Sequence, residues 1–210
     1  MRTAVYVDGF NLYYRALKDT PYRWVDLLAL SKQLVQVRNE ITLIRYFTAR
    51  VKPNPTKPTQ HVHQDAFIRA SKAHIRCLEV HEGLFYRNKT RMPLANPPPR
   101  GAKTVEVIKT EEKGSDVNLA VHLVNDAWEG RFDVALVISN DSDLAEAIRI
   151  ARSKGKPVGV ANPTADLTKR MNAELYQAAS FQRRIEAKHL RKAQMPEVFP
   201  DISVSKPAHW

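Results

Sequence analysis

The run DVALVIS, Asp133 to Ser139, restricts the fold more than any other stretch of the chain. Val134 to Ile138 are all aliphatic, so a strand built from them has no polar side to turn towards water. Such a strand must be covered on both faces, which is the situation of a central strand in a parallel sheet. Its neighbours agree. SDVNLAVHLVNDAWEG, just before it, carries Val117, Val121, Val124 and Trp128 at i, i+4, i+7 and i+11 and stops at Gly130. That spacing is one face of a 3.6-residue period and predicts an amphipathic helix with this face inward. DLAEAIRIARSKG, just after it, predicts a second helix, with Leu144, Ile148 and Ala151 inward and Gly155 at its end.

The same alternation runs through the rest of the chain. Arg2 to Val7 reads as a buried strand, and Leu27, Leu30 and Leu34 recur at helical spacing behind Asp26. ITLIRYFTARV is a strand, KPNPTKPT a proline-punctuated loop, and Gln60 to Ala73 a helix with Phe67 and Ala70 inward. IRCLEV and PVGVA are short strands, and Asp166 to Tyr176 a further helix. Strands alternating with helices imply right-handed crossovers. The expected fold is therefore α/β: three layers, Rossmann-like, with a mostly parallel central sheet and helices on both faces. There is no internal repeat. Two regions depart from the alternation. Residues 84–110 read as two strands around a proline-rich connection, with Arg87, Lys89, Arg91, Arg100, Lys103 and Lys109 against Glu106 alone. After Ser180 come Arg183, Arg184, Lys188, Arg191 and Lys192 on an expected helix, then PEVFPDISVSKPAHW as an extended tail. The division is a domain at 1–180, carrying a basic hairpin-like excursion at 84–110, and a basic helix and tail at 181–210.

A length of 210 residues suits one such domain. No stretch approaches the eighteen or so apolar residues of a membrane span, and the segment from Arg2 to Asp8 does not resemble a signal peptide. The lone Cys77 excludes an internal disulfide and a cysteine-rich zinc site, which is consistent with a cytoplasmic protein. His61 and His63 have no third ligand near them in sequence. The balance is 33 Lys and Arg against 22 Asp and Glu, a formal charge of +11 and a pI of about 9.8. That excess points to nucleic acid as a partner, although a basic surface also serves solubility.

Against this basic background, acids gather where ligands bind in open α/β sheets, just beyond the carboxyl ends of strands. Asp8 follows the first strand, SNDSD (Ser139 to Asp143) follows the long apolar one, and EEKGSD (Glu111 to Asp116) opens the amphipathic helix. Each acid has a structural reading. Asp8 before Gly9 fits a turn, Asp143 with Glu146 fits a capping box, and Asp116 favours the positive end of a helix. If the three segments are neighbours, however, their carboxylates converge. Two of them about 4 Å apart repel by roughly 4 kcal/mol at an effective dielectric of 20. A cation relieves that, and hard oxygen ligands suit Mg²⁺ or Mn²⁺.

VDGFNLY, EEKGSDVNLAVHLV and ALVISNDSDLAEAI together resemble the three motifs of the NYN domain, LabA-like group, within the PIN-like nuclease superfamily. They occur in the family's order on the expected elements, and the resemblance spans roughly residues 1–165. It implies an acidic pocket that binds Mg²⁺ or Mn²⁺ and cuts RNA, single-stranded DNA being the other substrate considered. Position by position, Asp8, Asp116, Asp141 and Asp143 match the acidic metal ligands, and Asn11 and Ser139 their polar partners. Asn140 stands where many members have glycine. A metal-dependent ribonuclease, an endonuclease in form, is the resulting expectation; a non-catalytic nucleic-acid-binding or regulatory module on the same fold is the alternative. A phosphatase of the haloacid dehalogenase type needs a second Asp two residues after the first, where this chain has Phe10. Lys113, Arg87, Lys89 and Arg91 are the candidate phosphate contacts. Of Tyr13 and Tyr14, one is expected in the core and the other as a base-stacking platform, with Tyr13 chosen for the platform. The sequence leaves the oligomeric state open, a dimer included.

Overall fold

The computed structural model describes residues 1–53, 56, 58–164, 166 and 168–210. Seven strands form one sheet in the order β4-β3-β2-β1-β5-β6-β7. They are β1 (Arg2–Asp8), β2 (Glu40–Ala49), β3 (Leu78–Pro93), β4 (Thr104–Lys113), β5 (Val134–Ile138), β6 (Val158–Asn162) and β7 (Phe181–Arg184). All neighbours are parallel except β3 and β4, which form an antiparallel hairpin. The apolar run that promised a central strand is β5, buried along its whole length next to β1.

The pleat of β1 divides the core in two. Val5 and Val7 face a cluster with Leu12, Trp24, Leu27, Leu30, Phe67 and Leu190. These come from helices α1 (Gly9–Leu12), α2 (Leu27–Leu34), α3 (Gln60–His74) and α7 (Ala187–Lys192) and the segments between them. Ala4 and Tyr6 face the opposite cluster, with Leu119, Leu123, Phe132, Ile148 and Leu175. That cluster is supplied mainly by helices α4 (Ser115–Trp128), α5 (Ala145–Ser153) and α6 (Ala173–Ala178). The result is the expected three-layer, mostly parallel α/β fold. Among the described residues no helix is long and apolar enough to cross a membrane.

Four local expectations are corrected. First, α4 presents Val117, Val121 and Trp128 to solvent and buries Leu119, Leu123, Asp126 and Ala127. The sequence offered two stripes, and Asp126 made the true inner one look wet. Asp126 is fully buried because Tyr6 Oη donates to its Oδ2 (2.7 Å) and Arg45 donates to both oxygens (2.7 and 3.1 Å). A buried carboxylate is tolerated only when paired and hydrogen-bonded in this way. Second, only Leu78 to Val80 of IRCLEV are strand, and they are continuous with the following strand in one 16-residue β3, whose first part pairs with β2 and whose second part pairs with β4. Third, the boundary at 180 cuts through the sheet. Arg183 and Arg184 lie on β7, beside β6, not on a helix. The tail folds back: Met195 and Val204 are buried and Trp210 packs against Trp24 and Phe67. Fourth, the helix expected from Asp166 to Tyr176 begins only at Ala173, where Asn172 caps it by accepting from the Glu174 N–H (2.8 Å). Leu167 of that expectation, and Asn54, Pro55 and Lys57 of the proline loop, lie outside the described residues.

Candidate active site

The chain leaves β1 towards β2 and β3 on one side and later fills β5, β6 and β7 on the other. Ligand crevices in open α/β sheets form at such a reversal, and both Asp8 and Ser139 end strands there. Asp8 is buried at the end of β1. Its Oδ1 accepts the Asn11 N–H (2.9 Å), so it caps α1, and its Oδ2 accepts the Ser139 hydroxyl (2.8 Å). Ser139 Oγ also accepts the Asp141 N–H (3.1 Å), and Asp141 Oδ1 accepts the Asp143 N–H (3.1 Å). Asn11 reaches across and accepts the Asn140 N–H (3.1 Å), while Asn140 accepts the Asn172 N–H (2.8 Å). The two strand ends are thus tied together by side chains. Gly9 does not turn the chain away, as its place after Asp8 suggested, since the chain runs straight into α1. A Cβ at Gly9 would sit 2.7 Å from Phe47 O and from the Tyr46 ring, so glycine is there for close packing.

The third acidic segment arrives from the hairpin. Gly114, at φ 101°, ends β4 and opens α4, a left-handed conformation that favours glycine. Glu112 accepts from the Ser115 N–H (3.1 Å) and hydroxyl (2.8 Å), and Asp116 follows in the first turn. The side chains of Asp8, Asn11, Asp116, Asp141, Glu112 and Ser115 line one open pocket of about 290 Å³ with Phe10, Tyr14 and Phe85. Burial pushes the Asp8 carboxyl up to about 6, with the Asp116 and Asp141 charges adding to the rise against the Asn11 and Ser139 hydrogen bonds. The Asp116 carboxyl is also raised, chiefly by burial and then by Asp141 and Glu112.

Of the residues singled out in the sequence, Asp8, Asn11, Asp116 and Asp141 meet in this pocket, and Ser139 stands behind Asp8. Asp143 is exposed and outside the lining. Tyr13 is half-buried against the core, and Tyr14 is the exposed ring beside the pocket. Glu112 and Tyr14 were named but not chosen, Tyr14 and not Tyr13 being the exposed ring, and Phe10 and Phe85 were missed. The three rings form a group, with Phe10 6.4 Å from Tyr14 and 5.6 Å from Phe85, centroid to centroid. Strand alternation was the available signal for Phe85, since it shares a face of β3 with Arg87, Lys89 and Arg91. A second concavity, lined by Tyr14, Lys52, Phe85, Arg87 and Ile108 among others, adjoins the acidic pocket through Tyr14 and Phe85. Lys113 belongs to the other face: its ammonium lies 5.7 Å over the Tyr86 ring. Lys89 pairs with Glu106 (3.5 Å), and Arg91 donates to Thr104 Oγ1 (3.3 Å).

Among the described residues no three His, Cys, Asp or Glu side chains are gathered as a ready-made cage for an ion. The donor chemistry nevertheless fits a small hard cation. Mg²⁺ keeps several waters and is usually held by one or two carboxylates together with substrate phosphates, not by an all-protein cage. Asp8, Asp116 and Asp141, with Glu112 beside them, offer oxygen donors of that kind, and like charge in a half-buried pocket favours a counter-ion.

Comparison with known proteins adds three findings. The family model for the NYN domain matches residues 2–182. A curated protein from Pseudomonas putida (strain DSM 28022 / S16), named 6-hydroxy-3-succinoylpyridine 3-monooxygenase HspA, is 32% identical over an alignment that covers 100% of this chain and 75% of that protein. A crystal structure of a protein of unknown function from Vibrio parahaemolyticus RIMD 2210633 superposes with a TM-score of 0.50 at 18% identity, over 89% of this chain and 93% of that one, a likeness of fold alone.

Proposed function

The chain belongs to the NYN domain family, within the PIN-like nuclease superfamily, and from that premise we propose that it is a metal-dependent ribonuclease acting as an endonuclease. One observation carries the reading: a pocket of carboxylates adjoins, through Tyr14 and Phe85, a groove that is also lined by Lys52 and Arg87. Carboxylates suit the cation that phosphodiester hydrolysis uses, and rings with Lys52 and Arg87 suit the bases and phosphates of a strand. The protein's net charge of +11 favours the same partner.

Asp8, Asp116 and Asp141 would hold Mg²⁺ or Mn²⁺, with Glu112 or Asp143 reached through water. When bound, the ion supplies an activated water and neutralises charge on the transferring phosphate. Ser139 and Asn11 keep Asp8 oriented and ionised by donating to its two oxygens. Whichever pocket carboxylate is not engaged with the ion would accept a proton from the attacking water. Tyr14 and Phe85 stack bases on either side of the scissile bond, and Arg87 and Lys52 hold the flanking phosphates.

The relative named as a monooxygenase raises a second reading, oxidation of a small ring. The aromatic cavity beside the site, lined by Tyr13, Tyr46, Phe67 and Trp210 among others, encloses about 60 Å³. An engineered apolar cavity that binds benzene holds roughly 150 Å³. The size favours the nuclease reading.

Labelled single-stranded RNA with Mn²⁺ is the test. Cleavage should stop with EDTA and in Asp8→Asn and Asp141→Asn. If both variants cut at the wild-type rate, the site is wrongly assigned. Binding that survives EDTA with no cleavage under any condition would instead indicate the non-catalytic module.

A further inference from the structure

The outward stripe of α4 has no role in the site just described. Val117, Val121 and Trp128 are 66%, 60% and 70% exposed, with Val124 partly buried between them and Ile150 of α5 exposed alongside. Monomeric proteins seldom leave a contiguous apolar row of this kind in water. Charge is distributed unevenly along it. The amino-terminal end carries Asp116, with Asp143 beside it in the neighbouring turn, while Glu146 is already paired with Arg149. The carboxyl-terminal end carries Lys154, whose ammonium lies 3.6 Å over the Trp128 ring, while Glu129 there is already paired with Arg131. The contact of Lys154 with Trp128 also shows that α4 and α5 run the same way. Among the described residues neither Asp116, Asp143 nor Lys154 is in an ion pair.

A surface that is acidic at one end, basic at the other and apolar between is complementary to itself turned through 180°. We propose that α4 is the centre of a two-fold homodimer in which two copies of the helix pack antiparallel. Val117 of one copy then opposes Trp128 of the other, and Val121 opposes Val124, because each pair is symmetric about the middle of the stripe. The acidic end of each copy meets the second copy's Lys154, and the two helix dipoles oppose. A closed two-fold contact uses one patch twice and leaves no unpaired copy of that patch in water. Asp116 lies on the carboxylate pocket as well as at the acidic end of this interface, but sedimentation reads assembly and not cleavage, so its outcome is separate from that of the proposed function.

Sedimentation velocity on the full chain tests it, with a cysteine scan in a Cys77→Ser background. The wild type should sediment as a dimer at micromolar concentration. Val121→Glu should be a folded monomer, folding being checked by circular dichroism, and Lys154→Glu should weaken the dimer at least tenfold. Antiparallel packing brings the two Val121 positions within about 5 Å along the axis and holds the two Val117 positions about 16 Å apart, at 1.5 Å per residue. Val121→Cys should therefore cross-link to itself on oxidation and Val117→Cys should not. A wild-type monomer overturns the proposal, as does a dimer that persists in Val121→Glu or a Val117→Cys self-link.

Discussion

Ser139 Oγ donates to Asp8 Oδ2 across 2.8 Å and joins the ends of two strands that are 131 residues apart in sequence. The same oxygen accepts the Asp141 N–H, so one buried hydroxyl positions two of the three candidate ligands. Its removal should be felt in chemistry before it is felt in folding. In Ser139→Ala the ionised form of Asp8 loses a donor, its carboxyl rises beyond about 6, and the acid limb of the pH–rate profile moves to higher pH. Cleavage at pH 7 should fall roughly 10- to 100-fold, the usual cost of losing a hydrogen bond behind a metal ligand. An unshifted profile would mean that Ser139 only packs.

Asp8 is expected to weaken the metal-free fold. Its native carboxyl titrates near 6 against an ordinary 3.8, so between these values the folded state holds a proton that the unfolded state has released. Stability from this group therefore declines as pH rises from about 4 to about 6 and stays low above. Asp8→Asn should stabilise the protein at pH 7 in EDTA, by up to about 3 kcal/mol for a shift of about two units, and abolish cleavage. The gain should vanish below pH 4 and shrink when Mn²⁺ is added to the wild type. Calorimetry at both pH values checks the sign.

Gly9→Ala should cost about 1–3 kcal/mol, because its methyl group would meet the Phe47 carbonyl and the Tyr46 ring at 2.7 Å in a core with no slack. Gly130 is the contrast: a methyl there meets nothing within 4 Å, but its φ of 66° is left-handed. Gly130→Ala should cost about 1 kcal/mol through the backbone alone. Urea denaturation of the two variants separates crowding from backbone strain; equal losses would remove the crowding account.

The hairpin offers a comparison between its two faces. Phe85→Ala combined with Arg87→Ser should weaken binding of a single-stranded oligonucleotide at least tenfold and flatten its salt dependence. Tyr86→Ala combined with Lys109→Ser, which changes the opposite face of the same hairpin, should leave both nearly unchanged. Fluorescence anisotropy across a salt series decides; equal effects would mean that the hairpin contributes only general charge. Asp8→Asn is the third arm, expected to bind RNA and not cut it.

Periodicity in the sequence was enough for the sheet, its parallel strands and the presence of acids beyond their carboxyl ends. An all-apolar strand such as Val134 to Ile138 has only one stable place, and Asp8, Asp116 and Asp141 occupy the ends of elements whose direction followed from alternation. What the sequence did not hold was choice between faces. On α4 two stripes competed, and the inner one was decided by Arg45 and Tyr6, which lie far off in the chain and neutralise Asp126. Along the hairpin, alternation grouped Phe85 with Arg87, but only the folded chain turned that face towards Tyr14 and the carboxylates. The tail looked extended because its partners, Trp24 and Phe67, are distant in sequence. Local period specifies an element, whereas burial depends on what the rest of the chain brings against it, and for this protein that determined which acids share a pocket and which valines were left in water.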